Sequence, residues 1–290
     1  DNIFFFFCLE KNKSEIQKHQ YKTLDFDNIF TNSDIKNANI NSQFNLIQDF
    51  FAELKVLEKT SDFNVFFTNL LFILQKYLTF VPSDTTKEIS DISLYDHLKA
   101  TAALALASYD YHVYHDSLDI KSVSNKDEQK FILVSGTIEG IQKYIYSIES
   151  DTSAAKKLRA KSFYLSIFTD VMAHRLLDEL NLTEANLLLS AGSKFTLVAP
   201  NIPYITDKIN NIKNELEKYM YENFSAELFL NLDYCPCTGT ETINFNETLK
   251  SINDRLEVNK FNRFSNLIIE NPIFQEQLNY GNLCTECKKN

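Results

Sequence analysis

The spacing of apolar residues changes near residue 130, and that change limits what the chain can fold into. Before it, apolar residues recur every three to four positions. Between Ser42 and Thr60 they are Phe44, Ile47, Phe50, Phe51, Leu54 and Leu57, the stripe of an amphipathic helix. A second, more apolar helix is predicted from about Asp62 to Phe80. Pro82 stops it, and the residue before a proline, Val81, disfavours helical backbone. A third is predicted from about Leu94 to Tyr114, with Ser93 as N-cap and Asp96 at the capping-box position. The first 120 or so residues therefore read as all-helical.

After residue 130 the alternation shortens to two. Phe131–Ile138 reads as a strand, Ala154–Leu180 as a long helix, and Asn186–Ser190 and Phe195–Ala199 as two short strands around the turn Ala191-Gly192-Ser193-Lys194. Thr206–Phe224 reads as a helix with Ile209, Ile212, Leu216 and Tyr219 on one face, and Glu227–Tyr234 as a fourth strand. From Asn244 to Leu278 the pattern is helical again. The order strand, helix, strand, strand, helix, strand is the split βαβ, or ferredoxin-like, plan, which polymerase palm domains also use. The expected fold class is α+β: a helical domain over 1–125, a βαββαβ domain over 126–240, and a helical segment over 241–290. Many unrelated functions use this plan, so function must come from particular residues.

Charge narrows the function classes. The net charge is −10. A stand-alone nucleic-acid binder usually has a basic excess, because phosphate neutralisation supplies much of its affinity. This chain is expected to meet nucleic acid only inside an assembly that supplies positive charge. No apolar run reaches the ~20 residues that span a bilayer. The apolar opening Ile3–Leu9 lacks a basic leader and a small-residue cleavage site, so it does not read as a signal peptide. Five cysteines without disulfide-like spacing fit a reducing, cytoplasmic compartment. With no initiator Met, the chain is expected to begin inside a longer gene product.

Several short patterns could carry chemistry, and each has a plainer alternative. Gly140-Ile141-Gln142 follows a strand and opens a helix, where backbone can approach phosphate closely; the plainer reading is a strand-to-helix turn. Lys156, Lys157, Arg159 and Lys161 cluster near the start of the long helix, with Ser162 beside them. They suit ATP phosphate or nucleic acid, or form a solvated helix face. Lys194 at the hairpin tip is a further point charge. Cys284 and Cys287 form C-x2-C, half of a tetrahedral zinc site. The other half is either Cys235 and Cys237 or lies after Asn290. His115-Asp116 spells a metal-hydrolase dyad by letters, and His112 could share its helix face, but such sites need further His and Asp ligands.

Four segments, in order, resemble the Csm-type large subunit of type III-A CRISPR effector complexes, the Cas-ten family. The first joins Phe80-Val81-Pro82-Ser83, Ile89–His97 and the Ala-rich helix Thr101–Tyr111. The second is Gly140-Ile141-Gln142-Lys143-Tyr144-Ile145-Tyr146. The third is Leu158-Arg159-Ala160-Lys161-Ser162-Phe163-Tyr164-Leu165. The fourth is Ala185-Asn186-Leu187-Leu188 followed by Ala191–Phe195. The Cys284/Cys287 pair adds to the match.

The resemblance implies a partial HD-like helical domain, a first palm domain, and a helical segment leading into a zinc module. It implies nucleotide contacts at Gly140, Ile141, Gln142, Arg159, Ser162 and Lys194. It also implies structural zinc at Cys284 and Cys287, completed by ligands outside this chain. The family's large subunits cleave single-stranded DNA and make cyclic oligoadenylates from ATP with Mg or Mn. Their expected partners are the other subunits of the complex, with guide RNA and target nucleic acid reached through it, and no membrane. The family's Gly-Gly-Asp-Asp turn does not occur in this sequence, and its HD pair is not found at the start, so this chain alone is expected to be inactive. Thr137 stands where the family usually has Asp, and Ser193 stands in a turn usually richer in glycine. Both departures fall where nucleotide and metal contacts are expected. The alternative function is a stand-alone palm-like nucleotide-binding or nucleotidyltransferase protein with a helical regulatory domain; a third is a scaffolding subunit that has lost both activities.

Overall fold

The structure, a computed structural model, describes residues 23–24, 40–84, 92–147, 153–224 and 226–270. The chain divides into two compact units, Asp1–Ala102 and Ala103–Asn290. Residues 1–22, the matched stretch Ile89–Asp91, the last part of the helical run toward Leu278, and Cys284 and Cys287 lie outside the described residues.

The first unit is helical where it is described. α1 (Ile40–Leu57) pairs with α2 (Phe63–Leu78). Asp62 starts α2 by accepting a hydrogen bond from the Val65 amide at 3.0 Å. The rings of Phe50 and Tyr77 meet edge to face at 5.5 Å. Glu53 accepts from Lys76 and from the Tyr77 hydroxyl. α3 (Leu94–Tyr114), whose residues from Ala103 onward belong to the second unit, has the predicted bounds, and Ser93 Oγ accepts from the Asp96 amide at 3.3 Å.

In the second unit, α4 (Ile120–Ser124) precedes β1 (Phe131–Glu139), α5 (Ile141–Tyr146) and α6 (Ala154–Glu179). β2 (Leu187–Ala191), β3 (Lys194–Pro200), α7 (Pro203–Phe224) and β4 (Phe229–Cys237) follow. The chain continues through α8 (Gly239–Ile243), α9 (Phe245–Asn259) and α10 (Ser265–Glu270). The sheet order is β2-β3-β1-β4, and every neighbouring pair is antiparallel. Phe131–Ile138 and Phe195–Ala199, predicted as separate strands, are direct neighbours: Ile132 lies opposite Ala199 and Gly136 opposite Phe195.

Strand alternation sorts the core. One sheet face carries Ile132, Val134, Phe195, Leu197, Leu230 and Leu232, packed under α6 through Leu165, Phe168, Met172 and Leu176. α7 packs there too, through Ile205, Ile209, Ile212, Leu216 and Met220. Each such side chain contributes roughly 1.5–3 kcal/mol by leaving water. Gly136 sits on this face because a Cβ there would lie 2.2 Å from the Phe195 ring. The second face packs Phe131, Val198 and Cys237 on Ala103 and Ala107 of α3.

Three of the differences from the sequence reading have identifiable causes. α7 begins at Pro203 rather than Thr206, since proline is pre-set for the first helical turn. β4 runs on through Pro236 to Cys237, which an edge strand tolerates because the missing amide faces no neighbour. The helical run after Asn244 is interrupted. α9 ends at Asn259, and Phe264 has φ of 53° while its buried ring meets Phe229 at 5.4 Å and Tyr221 at 6.1 Å.

Candidate functional site

β1 ends, α5 begins, the β2–β3 hairpin turns and α6 starts at one end of the sheet. Chain order requires it: α5 follows the last residue of β1, and the hairpin residue Lys194 is opposite Thr137. The Ile138 amide donates to Ser193 O at 2.9 Å, fixing the hairpin tip against β1. Gly140, Ile141, Gln142, Arg159, Ser162 and Lys194 are thus gathered at this end. They do not all share a face. Lys194 belongs to the face opposite α6 by alternation, whereas Arg159 and Ser162 ride on α6.

The geometry assigns these residues different tasks. Gly140 has φ of 86°, and a Cβ would lie 2.1 Å from Glu227 O. Its missing side chain is thus required by the protein's own backbone. Ile141 is half-buried and packs on the core. Gln142 is exposed. Arg159 and Ser162 are exposed on α6, as is Lys156. Lys161 is not a free cation. Its Nζ donates to Tyr144 O at 2.6 Å and to Ser147 Oγ at 3.1 Å, and it sits 4.7 Å over the Tyr144 ring. It ties α5 to α6. The basic cluster of the sequence is therefore partly a structural tether.

On the other side of the sheet, α9 crosses the polar half of the second face. Lys194 Nζ donates to Asn253 Oδ1 at 2.7 Å. Asn231 Nδ2 donates to Leu256 O at 2.7 Å, while its buried Oδ1 has no partner. Asp233 accepts from Arg255 at 3.4 Å and from Asn259 at 3.0 Å. Glu139 pairs with Lys260 at 3.3 Å. Ser135 Oγ donates to Phe195 O at 3.0 Å. Sequence reading registered a helical pattern here but not where it lies. Thr248, Ile252 and Leu256, four apart and buried, were the signal that this helix has a partner surface.

The remaining candidates separate. Cys235 is half-buried and Cys237 buried. Burial pushes both thiols up, Cys237 to about 12, which disfavours the thiolates a zinc ion needs. Among the described residues no group of three or more His, Cys, Asp or Glu could hold a metal. His112 is buried with Nδ1 on Ser117 Oγ at 2.9 Å, and burial holds it below its ordinary value. His115 is exposed, its ring 4.5 Å from that of Tyr111, so the two histidines do not converge. A shallow depression of about 660 Å³ runs along the later turns of α6, lined by Ile167, Asp170, Val171, His174, Arg175, Asp178 and Glu179. Its acidic lining suits phosphate poorly, and it contains none of the residues singled out from the sequence.

The family described as Csm1 subunit domain B matches residues 130–277, which takes in the whole sheet and the segment carrying α8, α9 and α10. A relative from Thermococcus onnurineus, the CRISPR system single-strand-specific deoxyribonuclease Cas10/Csm1 (subtype III-A), is 33% identical over 228 residues, 77% of this chain and 28% of its own length. The Streptococcus thermophilus protein of the same description is 37% identical over 169 residues, 56% of this chain and 22% of its own. The crystal structure of the apo Csm1-Csm4 cassette superposes with a TM-score of 0.72 at 31% identity, over 87% of this chain and 34% of that one. The cassette in complex with AMPPNP gives 0.71 at 30%, over 84% and 33%. The chain spans about a third or less of the length of these proteins.

Proposed function

The chain belongs to the Csm1 family, and on that premise we propose that it is part of the large subunit of a type III-A CRISPR effector complex, contributing nucleotide contacts rather than catalytic carboxylates. The observation that carries this reading is the family match across all four strands, combined with the gathering of Gly140–Gln142, Arg159, Ser162 and the hairpin at one end of the sheet.

In this reading residues 1–125 form a partial HD-like domain, 126–240 the first palm, and 241–290 a helical segment leading to a zinc module at Cys284 and Cys287. The ferredoxin-like strand order supports the palm assignment. ATP fits the exposed polar groups at the β1–α5 end: Arg159 suits its phosphates, and Gln142 and Ser162 offer hydrogen bonds to the nucleoside. ATP supplies the phosphoanhydride, and this chain's residues bind and orient it. Relatives solved as Csm1-Csm4 cassettes hold AMPPNP and cyclic oligoadenylate, which supports both the ligand and the subunit partnership.

A catalytic Mg or Mn does not fit the described residues. Thr137 offers a hydroxyl where a carboxylate would ligate. The nearby Glu139 and Asp233 are engaged by Lys260, and by Arg255 and Asn259. Phosphoryl transfer depends on metal-bound charge at the reacting phosphate, so no bond-making step is assigned to this chain. Guide RNA and target nucleic acid are met through the assembly, in the cytoplasm. Among the described residues no helix is long and apolar enough to cross a membrane.

The test is turnover. Labelled ATP incubated with the purified chain and Mg²⁺ or Mn²⁺ is expected to give no cyclic oligoadenylate above a blank. Clear product formation would contradict the reading.

A further inference from the structure

The outward side of α6 carries apolar surface that the fold does not use. Leu165, Phe168, Met172 and Leu176 serve the core. At about 3.6 residues per turn, the side opposite them holds Lys156, Phe163, Ile167, Val171, His174 and Asp178. Phe163 is 68% exposed, Ile167 45% and Val171 53%. The neighbouring α7 shows water the polar row Asn211, Glu215, Lys218 and Glu222 instead. Most charges along α6 are matched within the chain. Arg175 pairs with Glu215 at 2.7 Å, Glu179 with Lys208 at 3.3 Å and His174 with Glu184 at 3.1 Å. Asp170 accepts from Ser190 Oγ, and Lys161 is committed to α5. Lys156 and Asp178 are exposed, and neither enters an ion pair among the described residues.

These residues are spaced symmetrically about Ile167. Phe163 and Val171 lie four positions to either side of it, and Lys156 and Asp178 eleven. Both intervals stay on one face, because four positions overshoot one turn by about 40° and eleven overshoot three turns by about 20°. An identical helix laid antiparallel therefore sets apolar against apolar and cation against carboxylate. Laid parallel, it would set Lys156 on its own copy. We propose that this face of α6 binds a second copy of the chain, the two helices antiparallel about a two-fold axis at Ile167. Ile167 then meets its copy. Phe163 of each chain lies level with Val171 of the other and seats in the shallow depression that Ile167 and Val171 line. Lys156 faces Asp178 at both ends, about 33 Å apart at 1.5 Å rise per residue. A closed two-fold contact uses the same patch on both copies, and this patch carries both halves of the match. One helix face buries well under the roughly 800 Å² per partner of a stable complex, so the association is weak. The proposal does not rest on the nucleotide reading, whose residue Ser162 lies off this face.

The experiment is sedimentation velocity of the full chain over a concentration series, without nucleotide. Reversible monomer–dimer exchange is expected, with a Kd of roughly 10–100 μM. Ile167→Glu sets two carboxylates on the axis and should raise that Kd by about tenfold or more. Lys156→Asp alone, or Asp178→Lys alone, turns two attractive pairs repulsive and should weaken the dimer about tenfold. Mixed in equal amounts, these two variants should recover wild-type association, because the mixed dimer again has a cation opposite a carboxylate at both ends. Lys218→Glu on α7 should change nothing. Circular dichroism melts confirm that each variant stays folded. A chain that is monomeric at several hundred micromolar (about tenfold above the expected Kd) overturns the proposal, as does a dimer indifferent to Ile167→Glu. A mixture no stronger than its two components overturns the antiparallel register.

Discussion

The sheet is covered on both faces, by different chemistry. Under α6 and α7 the contacts are almost wholly apolar: Ile132, Val134, Phe195, Leu197, Leu230 and Leu232 meet leucines, isoleucines and methionines. Toward the β1–α5 end of the other face, Ser135, Thr196, Asn231, Asp233 and Lys194 meet one another and the polar side of α9. The apolar face is continuous packing and tolerates little change. The polar face is held by a few specific hydrogen bonds, one of them leaving Asn231 Oδ1 buried and unpaired. In this chain the polar face is closed by its own helix, so the groups left open to a ligand are those on the rim, at Gln142, Arg159 and Ser162.

The largest expected effect breaks the apolar side. Leu197→Ala removes a fully buried side chain between β3 and the helices. It should cost about 2–5 kcal/mol in a denaturant titration, by lost transfer energy plus the cavity. A cost near zero would mean the apolar layer is not continuous.

Next is the hinge of the polar side. Asn231→Ala removes the side-chain donor to Leu256 O, which keeps its bond from the Lys260 amide. A loss of about 0.5–1.5 kcal/mol is expected, together with faster amide exchange confined to α9. Uniform exchange changes through the sheet would show that α9 is not a separable cover.

Glu217 sharpens the contrast from the apolar side, because it is a buried carboxyl on α7 whose Oε2 has no partner. Burial raises it above its ordinary 4.5. As pH rises past that value the unfolded chain loses the proton first, so the group destabilises the fold at neutral pH and not below about 4.5. Glu217→Met should therefore stabilise by about 1 kcal/mol at pH 7, and the gain should shrink as the melt is repeated toward pH 4.5. The smallest effect is expected at Lys194→Ala, whose exposed bond to Asn253 should be worth under about 1 kcal/mol.

Much of this fold was legible because its signals are local. Leu94–Tyr114 was bounded correctly by its cap and periodicity, and the existence and order of the strands followed from alternation between turns. The extension of β4 through Pro236 was not legible, because whether a proline is tolerated depends on being at an edge, which only pairing reveals. The interruption at Phe264 was hidden for a similar reason. Its positive φ is held by ring packing on Phe229 and Tyr221, contacts made by residues distant in sequence. At the candidate site, residue types singled out groups that lie at one end of the sheet but did not give their tasks. Gly140 answers to Glu227 O and Lys161 to the carbonyls of α5, partners that no spacing rule supplies. The closure of the polar face by α9 followed from long-range packing alone.

The central claim is that nucleotide is met on the rim at the β1–α5 end and not on the sheet face or in the depression along α6. Photolabelling with 8-azido-ATP, followed by peptide mapping, tests it directly. The account predicts label, competed by unlabelled ATP, in peptides spanning Gly140–Tyr146 and Lys156–Phe163, and its loss in Arg159→Ala. Competed label confined to Ile167–Glu179, or label that unlabelled ATP does not displace, would contradict it.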